Sequence, residues 1–183
     1  MSVELINRYF ETKNLIIKEA EFVEGEKLQS IYEEGAYLRD ITGDDFANDH
    51  IHRCLIKGDL PPISNATKDN YRLMSIYRRE TLELIVFFDA YHGYPENDIF
   101  WISYIFIKPN YQKSGYGYEV IDCLCKAVKE CSYRNISIGV SMKNWLAIRF
   151  WIKCGFSKVW LYDGDVILSE DTMAFIGLEK ELI

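Results

Sequence analysis

The sequence predicts a mixed α/β fold on a central, mostly antiparallel sheet of about seven strands, with one parallel pair in its middle. Three stretches carry that prediction. Tyr71–Tyr77 and Thr81–Tyr91 are strand-like runs on either side of the polar turn Arg78-Arg79-Glu80, the pattern of an antiparallel hairpin. Ile99–Ile107 is apolar on both parities, as expected of a strand covered on both faces, and a glycine-bearing loop and a helical period follow it. Asn135–Met142 then returns as a short strand. The intervening helix makes it a parallel neighbour of Ile99–Ile107, joined by a right-handed crossover.

Taken in order, the chain starts with a short β-branched strand at Asn14–Lys18. Glu26–Arg39 carries Leu28, Ile31, Tyr32, Gly35 and Ala36 at helical spacing and reads as an amphipathic helix with one internal glycine. Thr42 or Asp44 is a suitable cap for a second helix whose apolar positions are Phe46, His50, Ile51, Cys54 and Leu55. Gly58 and Pro61-Pro62 end it, and the segment to Asn70 reads as loop. Gly93 to Asn97 is another turn. Pro109 stops the strand Ile99–Ile107, since it has no N–H for the ladder and disfavours helix at Lys108. Gly117, Val120, Ile121, Leu124, Val128 and Cys131 share one face of a helix over 117–131. Asn144 opens the last helix, whose residues 145–152 are apolar apart from Arg149, so burial over most of its surface is expected. Gly155 ends it. Phe156–Tyr162 and Asp171–Leu182 form a closing hairpin with Asp163-Gly164-Asp165 in the connection.

The chain has 183 residues, 49% of them hydrophobic and 27% charged, which suits one globular domain over 1–183. A net charge of -7, without a basic arm, argues against a nucleic-acid partner. No apolar stretch reaches membrane-spanning length, so no membrane partner is expected. The N-terminal segment MSVELINRYFETKN has no apolar core of a signal peptide. The five cysteines, Cys54, Cys123, Cys125, Cys131 and Cys154, show no zinc spacing, and together with the missing signal they point to free thiols in a cytoplasmic protein. His50 and His52 cannot share a helix face, and His92 lies at a turn, so no metal site is expected.

A strand, a glycine loop and a helix together make an anion site. The first N–H groups of a helix have no partner within it, and the helix dipole puts partial positive charge there. Glycines allow a phosphate to approach the main chain. Two common nucleotide fingerprints are absent: Val120 breaks G-x-G-x-x-G, and Tyr118-Glu119 after Gly117 excludes the Gly-Lys-Ser/Thr loop.

Gln112-Lys113-Ser114-Gly115-Tyr116-Gly117 resembles the Q/R-x-x-G-x-G/A loop of the Gcn5-related N-acetyltransferases (GNAT), which grips the pyrophosphate of acetyl-coenzyme A. Downstream, the block from Asn144 through Ala147, Phe150, Trp151 and Lys153 to Gly155-Phe156 resembles the same family's N-x-x-A-x-x-F-Y/W-x-K-x-G-F signature. The likeness covers about Tyr71 to Phe156. It implies acetyl-CoA as cosubstrate and direct transfer of its acetyl group to an amine. It also implies that the central parallel strands part at their C-terminal ends. Main-chain groups of Gln112, Lys113, Ser114, Gly115, Tyr116 and Gly117 would contact the pyrophosphate, with Tyr118 beside them. Ile105, Phe106 and Ile107 would line the pantetheine arm, and Asn144 would touch the cofactor as well as cap its helix. Lys113 is either a phosphate contact or a solvated surface lysine.

The chemistry of transfer asks for a donor to the developing oxyanion, a neutral amine and a proton for the departing thiolate. Here the sequence departs from the family. Trp151 stands where a Tyr acid is common, and Trp101 where a Glu base is common. Glu96 and Asp98 are the candidates for a base, and Tyr104, Tyr162, Cys154 or water for the acid. Tyr71, Tyr77, Tyr91 and Tyr94 are candidates to line an acceptor pocket. The partner expected is a small-molecule or peptide amine, the assembly a monomer or homodimer. With both tryptophans in place, a non-catalytic acyl-CoA sensor or binding module is the alternative function, and a structural domain whose loop binds nothing the third.

Overall fold

A computed structural model describes residues 4–167 and 169–182. The first three residues of the segment read for a signal peptide lie outside them. The chain starts with a short strand, β1 (Tyr9–Glu11), and β2 (Leu15–Glu19) pairs with it antiparallel. Three helices follow, α1 (Gly25–Glu33), α2 (Arg39–Thr42) and α3 (His50–Lys57). Then come β3 (Tyr71–Arg78), β4 (Leu84–His92), β5 (Ile99–Ile107), α4 (Tyr116–Glu130), β6 (Asn135–Ser141), α5 (Trp145–Lys153), β7 (Lys158–Gly164) and β8 (Ala174–Glu181). The eight strands form one sheet in the order β1-β2-β3-β4-β5-β6-β8-β7, and β5–β6 is its parallel pair.

Two apolar cores lie on opposite faces of this sheet. On one, α4 and α5 cover β2 to β6 through Val120, Ile121, Leu124, Val128 and Trp151. On the other, α1 and α3 cover β3 to β5 through Leu28, Ile31, Tyr32, Ile51 and Cys54. The strands between them are buried on both sides, which is why β4 and β5 read as nearly continuous apolar runs.

Several boundaries differ from expectation. The helix read over Glu26–Arg39 stops at Glu33, because Gly35 both weakens the helix and lets the rings of Phe46 and Phe106 pack against the chain. The chain then makes a separate short turn of helix at Arg39–Thr42. The second long helix starts at His50 rather than after Thr42 or Asp44, since Phe46 takes φ 49° to turn its ring into the core, which no helix allows. The last helix is not largely buried. Trp151 is its one buried residue, and Trp145, Leu146 and Ile152 are more than half exposed, because only one side of α5 has sheet beneath it. Edge strand β1 was not anticipated.

His92 is fully buried at the end of β4. Its Nε2 accepts the Ile6 N–H at 3.1 Å and its Nδ1 lies 2.8 Å from the Asn70 carbonyl, which fixes the tautomer with the proton on Nδ1. Burial pushes its pKa down to about 4, against the pull of the Asn70 carbonyl. A histidine with a lowered folded pKa supports the fold above about pH 6.5 and loses that support as pH falls toward 4, a range of roughly 3 kcal/mol. Asp89, whose pKa is raised to about 7, acts in the opposite sense over an overlapping window. The expected result is therefore a difference: His92→Gln flattens the acid side of the stability profile, read as melting temperature at about pH 7.5 against about pH 4.5. Equal acid sensitivity of the variant and the wild type would refute this role.

Candidate active site

The pairing of β5 with β6 runs from Ile99↔Asn135 to Ile102↔Ile138 and stops. At the same level β5 holds an extra residue relative to β4, since Ala90 faces Ile102 and Asp89 faces Tyr104, leaving Ser103 without a partner. Such a bulge bends and twists its strand. Beyond it β5 continues along β4 to Val86↔Ile107, while β6 continues along β8 from Gly139↔Gly177 to Ser141↔Phe175. The two parallel strands thus part, and one edge of β5 from Ser103 onward has no strand beside it among the described residues. The bulge also reverses the parity of the strand. Trp101 packs on the α1–α3 side before it, and Tyr104 and Phe106 do so after it. Ile105 and Ile107 face the α4–α5 core.

The open edge leads directly to the glycine loop. Gln112 Nε2 donates to the Ile107 carbonyl at 3.0 Å and lies 3.3 Å from the Tyr37 hydroxyl, tying the loop to the strand end. Lys113 at φ 60° and Gly115 at φ 88° turn the chain into α4, whose first turn has no side-chain cap. Lys113, Ser114, Gly115 and Tyr118 are exposed. The space above Gly115 holds no atom within 4 Å of where a Cβ would stand. These residues fit a pyrophosphate: uncapped N–H groups, the positive end of a fifteen-residue helix and an open cradle. Gly117 has another role. It is buried, and a Cβ there would sit 2.8 Å from Ile107 Cδ1 and 3.2 Å from Phe150. Tyr116 packs near Tyr111, ring centroids 6.2 Å apart. Asn144 Oδ1 accepts the Ala147 N–H at 3.1 Å, which is the expected cap.

On the α1–α3 side of the gap stands an aromatic wall. Tyr32 stacks on His50 at 4.3 Å and meets Tyr104 edge-on at 5.6 Å, and Tyr104 stacks on Phe87 at 5.5 Å. Burial holds the Tyr104 phenol well above its ordinary pKa, with Asp44 adding to the effect, so it stays protonated and can donate but cannot serve as a base. Burial lowers the pKa of His50, against the pull of Asp59, Asp44 and Asp45. On the same side, at the paired end of β5, Trp101 meets Tyr94 at 5.2 Å and Trp160 at 6.2 Å, and its ring lies over Gly139.

Other candidates fall elsewhere. Glu96 and Asp98 precede β5 at its paired end, where Arg134 lies 3.7 Å and 3.3 Å from them, so the structure does not bring them to the gap as bases. Sequence proximity to the strand was their only warrant, and they stand at the wrong end of it. Trp151 packs edge-on between Phe150 and Phe156 in the core. Tyr162 is exposed on β7 at the rim of the sheet, and burial pushes the Cys154 thiol up to about 11. Tyr71 and Tyr91 are core residues, the Tyr77 hydroxyl bonds Glu24, and Tyr94 packs edge-on against Trp101. Sequence reasoning missed Asp89, whose signal was a lone carboxylate in the run LIVFFDAYH.

The sequence profile of the Acetyltransferase (GNAT) family matches residues 39–156. A shorter match links the chain to tRNA(Met) cytidine acetyltransferase TmcA of Salmonella typhimurium, 38% identical over 58 residues, which are 32% of this chain and 8% of that protein. Among solved structures, spermidine N-acetyltransferase from Vibrio cholerae in complex with CoA and spermine superposes with a TM-score of 0.68 at 11% identity, covering 93% of this chain and 97% of its own. The structure of yncA from Salmonella typhimurium with acetyl-CoA gives 0.64 at 13%, covering 93% and 95%. At such identities the likeness is one of fold.

Proposed function

The chain belongs to the GNAT acetyltransferase family, and from that premise we propose that it moves the acetyl group of acetyl-CoA directly onto an amine. The observation that carries this reading is the gap between β5 and β6, open on one edge and running into the uncapped N-terminus of α4. Acetyl-CoA supplies a thioester carbonyl to be attacked and a thiolate to leave. The protein's part is placement. The loop from Gln112 to Tyr118 holds the anionic end, and the unpaired edge of β5 offers main-chain N–H groups to the developing oxyanion. Much of the acceleration then comes from proximity. No tyrosine acid is needed if the leaving thiol has an ordinary pKa of about 8.5.

The acceptor enters over the aromatic wall of Tyr32, His50 and Tyr104, where Asp44 and Asp59 supply negative charge around His50. That setting suits an amine arriving as an ammonium. Trp101 and Trp151, in place of the family's usual base and acid, support a second reading as an acyl-CoA-binding module without turnover. Calorimetry with CoA followed by a panel of amines, with released thiol as the signal, separates the two. Binding with thiol release on at least one amine is expected. Binding with no release on any amine would favour the module, and no binding would refute both.

A further inference from the structure

Asp89 is a residue that packing does not account for. It interrupts the apolar strand β4, is 1% exposed, and has an oxygen, Oδ1, that is buried without a hydrogen-bond partner among the described residues. Its other oxygen, Oδ2, accepts the Tyr71 hydroxyl at 2.6 Å. A buried carboxylate with an idle oxygen costs stability that a neutral residue of the same shape would not, so its presence calls for a chemical use.

Its place in the sheet suggests that use. Asp89 lies directly opposite Tyr104, beside the unpartnered Ser103, at the level where β5 leaves β6. It shares the α1–α3 side of the sheet with the aromatic wall. The groups that act on it are Tyr71 from β3, Tyr104 from β5, Cys54 from α3, and Asp59 and Lys68 from the connection between α3 and β3. Lys68 is the cation among them, and it is committed elsewhere: its Nζ donates to the Cys54 carbonyl at 2.7 Å and lies 4.4 Å from the Tyr71 ring centroid.

Building on the acetyltransferase reading, we propose that Asp89 is the proton acceptor of this site, its Oδ1 taking a proton from the acceptor ammonium through one water at the Tyr104 corner of the gap. In that step an ammonium N–H bond breaks and the proton passes to Asp89. The freed lone pair forms the bond from nitrogen to the thioester carbonyl carbon. The carbon–sulfur bond breaks with its electron pair on sulfur. Nitrogen loses a second proton to solvent, the thiolate takes one from solvent, and Asp89 returns its own to water.

The environment tunes the group for this. Burial holds the Asp89 carboxyl up at about 7, against the lowering by the Tyr71 hydroxyl, with Asp59 adding to the rise and the main-chain N–H groups of Tyr104 and Asp89 opposing it. A base titrating near neutrality is ionised at working pH and still basic enough to take a proton.

The test compares wild type with Asp89→Asn, using an amine accepted in the panel and acetyl-CoA. In the wild type, kcat/KM should fall below about pH 7 as Asp89 gains its proton. Asp89→Asn should lower kcat/KM by about 10²–10⁴-fold and abolish that acid limb. CoA affinity by calorimetry should stay within about threefold, and the melting temperature at about pH 8 should rise, because no carboxylate is buried. Tyr71→Phe removes the hydroxyl that lowers the carboxyl's pKa, and should move the acid limb up by about one pH unit. Turnover of Asp89→Asn within about threefold of wild type would overturn the proposal. So would loss of CoA binding or a lower melting temperature at about pH 8, either of which makes Asp89 a structural residue. A wild type that releases no thiol with any amine would instead refute the acetyltransferase reading from which the proposal starts.

Discussion

Gly115→Asp is expected to weaken CoA binding by at least about 100-fold while the protein stays folded. Gly115 sits at φ 88°, just before the first turn of α4, and a Cβ there meets nothing within 4 Å. The substitution is therefore strained in the backbone but not crowded. Aspartate tolerates the left-handed region better than most residues, so the strain is of order 1 kcal/mol. Its carboxylate would occupy the space offered to a pyrophosphate, where like charges repel by several kcal/mol. Gly115→Asn separates the two effects, since it carries the same backbone strain without the charge, and should lose only about tenfold. Calorimetry with CoA reads both. Unchanged affinity in Gly115→Asp would take the loop out of cofactor binding.

Two residues on, Gly117→Val should act on stability first. The Cβ alone would stand 2.8 Å from Ile107 Cδ1 and 3.2 and 3.3 Å from two Phe150 ring atoms. Overpacking of this kind costs about 1–3 kcal/mol, and a β-branched side chain adds a helix penalty. For a chain of this length that is a melting temperature lower by about 3–10 °C. Binding weakens only as far as α4 shifts away from β5. Denaturant midpoints measure the loss, and a midpoint equal to that of the wild type would show that Ile107 and Phe150 move aside freely. The two glycines of Gly115-Tyr116-Gly117 thus have different causes, one a backbone angle at an open cradle and the other a close contact between helix, strand and helix.

The strand, loop and helix at the centre were legible because their signals are local. Pro109 stops a strand and the helical period from Gly117 marks α4, whatever the rest of the chain does. The parting of β5 and β6 was legible through family resemblance and not from the residues, since nothing in the string around Ser103 marks a bulge. Elements set by tertiary packing were misread. Phe46 leaves helical geometry to enter the core, and α5 looked buried because apolar content does not reveal how much sheet lies beneath it. In the site, Glu96 and Asp98 drew attention as carboxylates near the strand, although Arg134 holds them at its paired end. Asp89 was visible as a charge in an apolar run. Its meaning depends on Tyr71, Cys54 and Tyr104, which only the folded chain brings beside it.

The bulge at Ser103 means that the groove is written in residue number more than in residue type. One surplus residue ends the pairing of β5 with β6 and turns Tyr104 and Phe106 to the side where Trp101 already lies. A point substitution at Ser103 leaves that count intact. A one-residue deletion there would restore the two-residue period, keep Tyr104 and Phe106 on Trp101's face without the bend between them, and let the strands zip together over the acceptor's path. The site is therefore tolerant of ordinary sequence drift along this strand and intolerant of a single in-frame codon loss. Descendants of such a chain can vary which amine they accept by changing side chains while inheriting an opening that depends on none of them.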